Sequence, residues 1–194
     1  MDQTRIEEII NFDNEEELNE LIKNKSIKFP KDSYLINQAI QKDKPKCFHS
    51  LLEVAEIELN FIDQKTNLSP LSLSIITKKQ SFFQDLLTKG ADPNFPNEKG
   101  RTPLMFACLI GAKSFVEALL RNKINLSLKD RHGFTNVHMA VLASSGTTNS
   151  LDMLYSKNAS LNEKDNQNRT PLHLAAYLGK FRANGFQVNL EETI

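Results

Sequence analysis

The sequence has no tryptophan, two cysteines and seven glycines among its 194 residues, and no net charge. Each shortage removes a class of protein. Cys47 and Cys108 are too few for a disulfide framework at this length, which points to a reducing compartment. The glycines are scattered at turn positions, so no flexible low-complexity tract is present. With 24 basic and 24 acidic side chains, the total gives no pull toward nucleic acid or an anionic membrane. Met1 to Glu8 is polar and lacks the apolar centre of a signal peptide. No apolar run nears the roughly 20 residues that span a bilayer. These absences together point to an intracellular, cytoplasmic chain without membrane insertion.

Forty per cent of the residues are apolar, enough for a core in one domain or a short array of small units. Charge is uneven along the chain. Residues 1–30 hold eight acidic side chains (Asp2, Glu7, Glu8, Asp13, Glu15, Glu16, Glu17, Glu20) against Arg5, Lys23, Lys25 and Lys28. That pattern reads as a solvated acidic face.

Internal repetition organises the rest. Ser69-Pro70-Leu71-Ser72-Leu73-Ser74, Thr102-Pro103-Leu104-Met105-Phe106-Ala107, Thr135-Asn136-Val137-His138-Met139-Ala140 and Thr170-Pro171-Leu172-His173-Leu174-Ala175 align, with starts 33, 33 and 35 residues apart. Gly90-Ala91-Asp92-Pro93-Asn94 is echoed by Ala159-Ser160-Leu161-Asn162, and weakly by Lys123-Ile124-Asn125-Leu126-Ser127. Asn97, Asp130 and Asp165 follow, each leading into a turn such as Glu98-Lys99-Gly100 or Arg131-His132-Gly133.

The Thr or Ser heading each motif suits a helix cap, and proline next to it suits the first turn, where its missing N–H is not needed. Leu104, Phe106, Ala107 and Cys108 supply an apolar face. Gly111 and Gly179 are placed to end the first helix of their repeats. Phe115, Val116, Leu119 and Leu120 then predict a second helix, repeated by Phe82, Phe83, Leu86 and Leu87 and by Leu151, Leu154 and Tyr155. A helix pair of this size leaves apolar surface uncovered until a neighbour stacks on it.

This pattern resembles the ankyrin repeat, whose signature is Thr-Pro-Leu-His-x-Ala at a period of 33. The resemblance covers roughly residues 31–180 and implies an all-α solenoid of helix-turn-helix units joined by short β-turn or hairpin loops. The expected units are 31–63 (degenerate), 64–96, 97–129, 130–164 and 165–180 (partial). Leu18, Leu21 and Ile22, with Ile6, Ile9 and Ile10, form helical faces in residues 1–30. These are either a polar N-terminal cap, a further degenerate repeat, or an unrelated helical extension. The turn Ala143–Ser150 is two residues longer than its counterparts, and the loop Asp63–Asn67 is one residue longer. After Gly179 the expected second helix gives way to Gly185 and an alternation at Phe186, Val188 and Leu190, so residues 181–194 read as an irregular tail. That tail suggests a chain that is truncated, alternatively ended or part of a longer protein.

No constellation for chemistry accompanies the repeats. His138 and His173 occupy the same repeat position, where the resemblance implies a structural hydrogen bond, and Met105 and Ser72 replace them elsewhere. No Cys-x-x-Cys, phosphate loop or nucleophile elbow occurs. No metal or cofactor, no small-molecule substrate and no nucleic acid is therefore expected, and no catalysis. The resemblance implies a protein partner, bound at loop tips and on the concave face of the first helices. Carried over, the tips are Glu98, Lys99 and Arg101, then Arg131, His132 and Phe134, then Asn166, Gln167 and Arg169. The concave positions hold Ile76, Leu109, Leu142 and Tyr177, all apolar or aromatic. Such a row either forms an exposed binding stripe or packs between neighbouring first helices. Two roles fit: an interaction scaffold, or the recognition fragment of a larger signalling protein or enzyme.

Overall fold

The computed structural model describes residues 3–27, 33–143 and 149–178. The expectations for Ser144–Thr148 and for the C-terminal tail from Gly179 lie outside the described residues. Within them the fold is all-α: α1 (Gln3–Asn11), α2 (Glu15–Lys23), α3 (Tyr34–Gln41), α4 (Pro45–Leu52), α5 (Pro70–Ile76), α6 (Gln80–Thr88), α7 (Pro103–Leu109), α8 (Lys113–Leu120), α9 (Asn136–Leu142), α10 (Asn149–Ser156) and α11 (Pro171–Tyr177). The chain divides into two compact units, one ending at Phe106 and one beginning at Ala107. The boundary falls inside α7.

The helices start where the sequence sets them. Ser69 accepts a hydrogen bond from the Ser72 N–H at 3.2 Å, and Thr102 Oγ1 accepts one from Met105 N–H at 3.3 Å. Pro70, Pro103 and Pro171 each open their helix. Seven of the described helices stop by one shared device, a left-handed residue whose successor's N–H reaches back five residues. Asp13, Asp43, Lys78 and Gly111 take the left-handed position after first helices. The returning bonds run from Asn14 to Ile9, Lys44 to Ala39, Lys79 to Ser74 and Ala112 to Ala107. After second helices, Lys25, Gly90 and Asn158 do the same. Only glycine adopts that conformation without steric cost, so the motif is held elsewhere by its hydrogen bonds and by packing.

In the first unit the hairpins α1/α2, α3/α4 and α5/α6 are layered in order. First helices lie side by side, α1 on α3 and α3 on α5, and second helices likewise, α2 on α4 and α4 on α6. The core is built between layers. The Phe48 ring of α4 sits 4.5 Å from the Phe82 ring of α6, and both are buried. The Asp13 carboxylate caps α4 of the next layer, accepting from Cys47 N–H at 2.9 Å. Exposed ion pairs tie successive layers, Asp43 to Lys79 at 2.6 Å and Glu53 to Lys89 at 2.7 Å. In water such pairs contribute little each, so the buried rings carry the interface. In the second unit, α9 packs on α11 and α10 on both α8 and α9. Phe115, Val116, Leu119, Leu151 and Leu154 are buried as the stripe requires, whereas Tyr155 is exposed.

The left-handed residues also fix the register of the degenerate unit. Asp43 matches Lys78 and Gly111, so Asn37, six residues before it, occupies the place of Ser72 and Met105. Asn37 is buried, and its amide nitrogen and oxygen find no hydrogen-bond partner. A polar group buried without a partner is destabilising. Because Met105 fills the same place with an apolar chain, Asn37→Leu is expected to stabilise the protein by about 1–2 kcal/mol. The readout is the urea midpoint followed by circular dichroism. A midpoint that stays put or falls shows that the amide is already satisfied.

Candidate interaction face

The loop tips are hairpin turns built on one carboxyl or amide each. Asn97 Oδ1 accepts from Lys99 N–H at 3.0 Å and Arg101 N–H at 2.9 Å. Asp130 Oδ1 does the same with His132 N–H at 2.8 Å and Phe134 N–H at 3.0 Å. Asp165 Oδ1 repeats it with Gln167 N–H at 2.8 Å and Arg169 N–H at 2.9 Å. The longer loop uses Asp63, which accepts from Lys65 and Thr66 N–H groups. Short polar side chains favour such turns because they mimic a backbone acceptor.

Within each unit, neighbouring tips are stitched together. In the first, Asn97 Nδ2 donates to the Asn67 carbonyl at 3.2 Å. In the second, Asn166 donates twice, from N–H to the His132 carbonyl at 3.0 Å and from Nδ2 to the Arg131 carbonyl at 2.8 Å. Gly133 permits that approach. Its φ is +80°, and a Cβ there would lie 2.6 Å from Asn166 Oδ1 and 2.8 Å from its nitrogen.

The candidate residues divide by what their side chains touch. Glu98 and Lys99 are exposed in the first unit, and Arg101 is half-buried. Arg131, His132 and Gln167 are exposed in the second. Asn166 is exposed as well, but its amide ties the tips together. Phe134 is half-buried, stacked on His138 with ring centroids 5.4 Å apart. The Arg169 guanidinium also lies over the Phe134 ring, 5.8 Å from the centroid. Arg169 in turn holds Asp165 through Nε at 2.8 Å. On the first helices, Ile76 is 37% exposed and Tyr177 is 86% exposed, while Leu109 and Leu142 are half-buried.

His138 explains why the motif prefers histidine. Thr135 N–H donates to its Nδ1 at 3.2 Å, so the ring proton resides on Nε2, which donates to the Arg169 carbonyl at 3.2 Å. One ring thus caps its own helix and grips the next loop. Burial holds the imidazole below its ordinary range, partly opposed by the Arg169 carbonyl and Asp165. Burial pushes the Asp165 carboxyl up, but the Arg169 N–H, the Arg169 side chain and the Gln167 N–H outweigh it, and the group stays below the usual carboxylate range. The hydrogen bond from Lys129 lowers Glu163 as well. Both thiols are buried, and burial pushes Cys47 and Cys108 up to about 12, so neither is a nucleophile at neutral pH. No cluster of three or more potential metal ligands occurs among the described residues. No helix there is long and apolar enough to cross a membrane.

A histidine whose folded pKa is lowered contributes stability that is complete above its unfolded value, near pH 6.5, and is lost as pH falls. The carboxylates shifted downward titrate only at lower pH. Urea midpoints are therefore expected to drop between pH 7.5 and pH 5.5, and His138→Met is expected to flatten that dependence. An equal slope in the variant would remove His138 as its source.

Known proteins share this architecture. Residues 71–165, just under half of the chain, match the family model for ankyrin repeats in three copies. Alpha-latrocrustotoxin-Lt1a of Latrodectus tredecimguttatus is 32% identical over 113 residues, which are 58% of this chain and 8% of the toxin. The nuclear factor NF-kappa-B p105 subunit of Gallus gallus is 30% identical over 122 residues, 60% of this chain and 12% of that protein. NF-kappa-B inhibitor alpha of Homo sapiens is 30% identical over 142 residues, 69% of this chain and 44% of the inhibitor. The chain thus spans less than half the length of each of these relatives. Ankyrin repeats are protein-interaction modules and generally not enzymatic. By its motif, its layered hairpins and these matches, the chain belongs to the ankyrin-repeat family.

Proposed function

We propose that this chain is a non-catalytic interaction scaffold that binds a protein partner through its loop tips and the concave face of its first helices. The observation that carries the reading is the exposure of apolar side chains at a repeated position. Ile76 in the first unit and Tyr177 in the second stand out to solvent, and Leu109 and Leu142 are half-exposed at the same place in their repeats. Apolar surface left open in a folded protein marks an interaction site more often than a random patch. The tips beside it, Glu98, Lys99 and Arg101 in one unit and Arg131, His132 and Gln167 in the other, supply charge and hydrogen bonds for selectivity.

The protonated, buried thiols fit an intracellular, cytoplasmic setting and offer no catalytic step. A relative named as an inhibitor of NF-kappa-B carries the same repeats, which supports action through binding. The length of the relatives supports a second reading, in which these repeats are the recognition portion of a larger signalling protein or enzyme.

The test compares partner capture by the full chain with capture by a Leu142→Glu, Tyr177→Glu double variant. Tyr177 is exposed and Leu142 half-buried at the end of its helix, so circular dichroism of the variant must match the wild type before capture is compared. The scaffold reading expects proteins retained by the wild type to be lost by the variant by tenfold or more, an energy of about 1.4 kcal/mol. Equal recovery from both baits would reject the concave face as the binding surface.

A further inference from the structure

The second unit carries more cations than anions, and its own fold has used up most of the anions. Residues 107–178 contain eight basic and five acidic side chains. Asp130 and Asp165 are buried in the finger turns. Glu163 is paired with Lys129 at 2.8 Å, and Glu117 with Lys113 at 3.9 Å. Asp152 stands on α10, a second helix. On the finger side, Arg169 is held by Asp165 at 2.8 Å. Arg131 and Lys164 are exposed, and no carboxylate among the described residues pairs with either. The Lys164 carbonyl, not its ammonium, is engaged by Lys129 at 3.0 Å. His132 is exposed next to Arg131.

Apolar groups stand at the helix ends of the same repeats. Leu142 ends α9, while Tyr177 ends α11 and is followed by Leu178, 41% exposed. Because α9 and α11 pack side by side, their ends form one row. The fingers preceding them form a second row, joined by the two hydrogen bonds of Asn166. A seven-residue helix separates the rows by about 10 Å. An extended chain crosses that distance in three or four residues at about 3.3 Å each.

We propose that this face of the second unit takes a protein segment in which acidic side chains lie three or four residues from an aliphatic or aromatic anchor. The proposal rests on the binding role argued above and specifies the chemistry of its partner. Carboxylates meet Arg131 and Lys164, where they gain partners without displacing internal ones. The anchor covers Tyr177 and Leu142, removing apolar surface from water. A basic segment would face uncompensated repulsion on the fingers. A nucleic acid strand would satisfy the cations but bring no aliphatic group to the helix ends.

The test is selection of a random twelve-residue peptide display library on the full chain, followed by titration of the best synthetic peptides by fluorescence anisotropy. Wild-type selections are expected to be rich in Asp and Glu near Phe, Tyr, Leu or Ile. Arg131→Glu with Lys164→Glu is expected to weaken the selected peptides about tenfold or more and to reverse the charge preference of a fresh selection. Peptides that lose affinity in the Leu142→Glu, Tyr177→Glu variant yet show no acidic excess would overturn this proposal and leave the binding role standing. Peptides indifferent to that variant, or an empty selection, would overturn both. Displacement of the peptides by a twenty-nucleotide single strand of DNA at equal concentration would assign the cations to nucleic acid instead.

Discussion

A helix of seven to nine residues does not hold itself together in water, because the cost of nucleating it is recovered only over a longer run. Every helix among the described residues is of that length. Stability must come from what lies beside each hairpin, and the side chains are arranged accordingly. Phe48 and Phe82 meet across two layers, Asp13 caps a helix in the following repeat, and His138 grips the loop of the repeat after its own. These contacts cross from one repeat to the next, so removing a layer would expose its neighbours.

The finger turns obey the same constraint on a smaller scale. Each hairpin is closed by one short polar side chain, Asp63, Asn97, Asp130 or Asp165. Turning that acceptor inward leaves the tip's other side chains free for solvent or a partner. In the second unit the result is electrostatic. The aspartates are consumed by structure, while Arg131 and Lys164 stay available. Folding therefore leaves the basic excess of that unit, eight side chains against five, without carboxylates to meet Arg131 and Lys164 among the described residues.

Much of this was legible in the sequence because it depends on periodicity. The motif heads at Ser69, Thr102, Thr135 and Thr170 mark helix starts, and Gly111 marks a helix end through its positive φ. The degenerate unit was harder to place. Asp43 does the work of glycine there, as Lys78 does in the following unit, so the register that puts Asn37 at the histidine position emerges only from backbone geometry. Among the candidate tip residues, spacing did not separate those facing outward from those committed inward. Phe134 packs on His138 and meets the Arg169 guanidinium, and Asn166 stitches two tips; Arg169 and Arg131, the distant partners in these contacts, lie about 35 residues away in the chain. Exposure at Ile76 and Tyr177 was likewise a property of the stack, not of the residue type.

The most direct test isolates one layer. A synthetic peptide of residues 64–96 contains α5, α6 and their loops, with every local signal intact and no neighbour to pack against. It should show a coil spectrum by far-ultraviolet circular dichroism at conditions where the full chain is helical. If the peptide alone reaches the helix content that α5 and α6 have in the protein, its stability is local, and stacking is not what holds the fold.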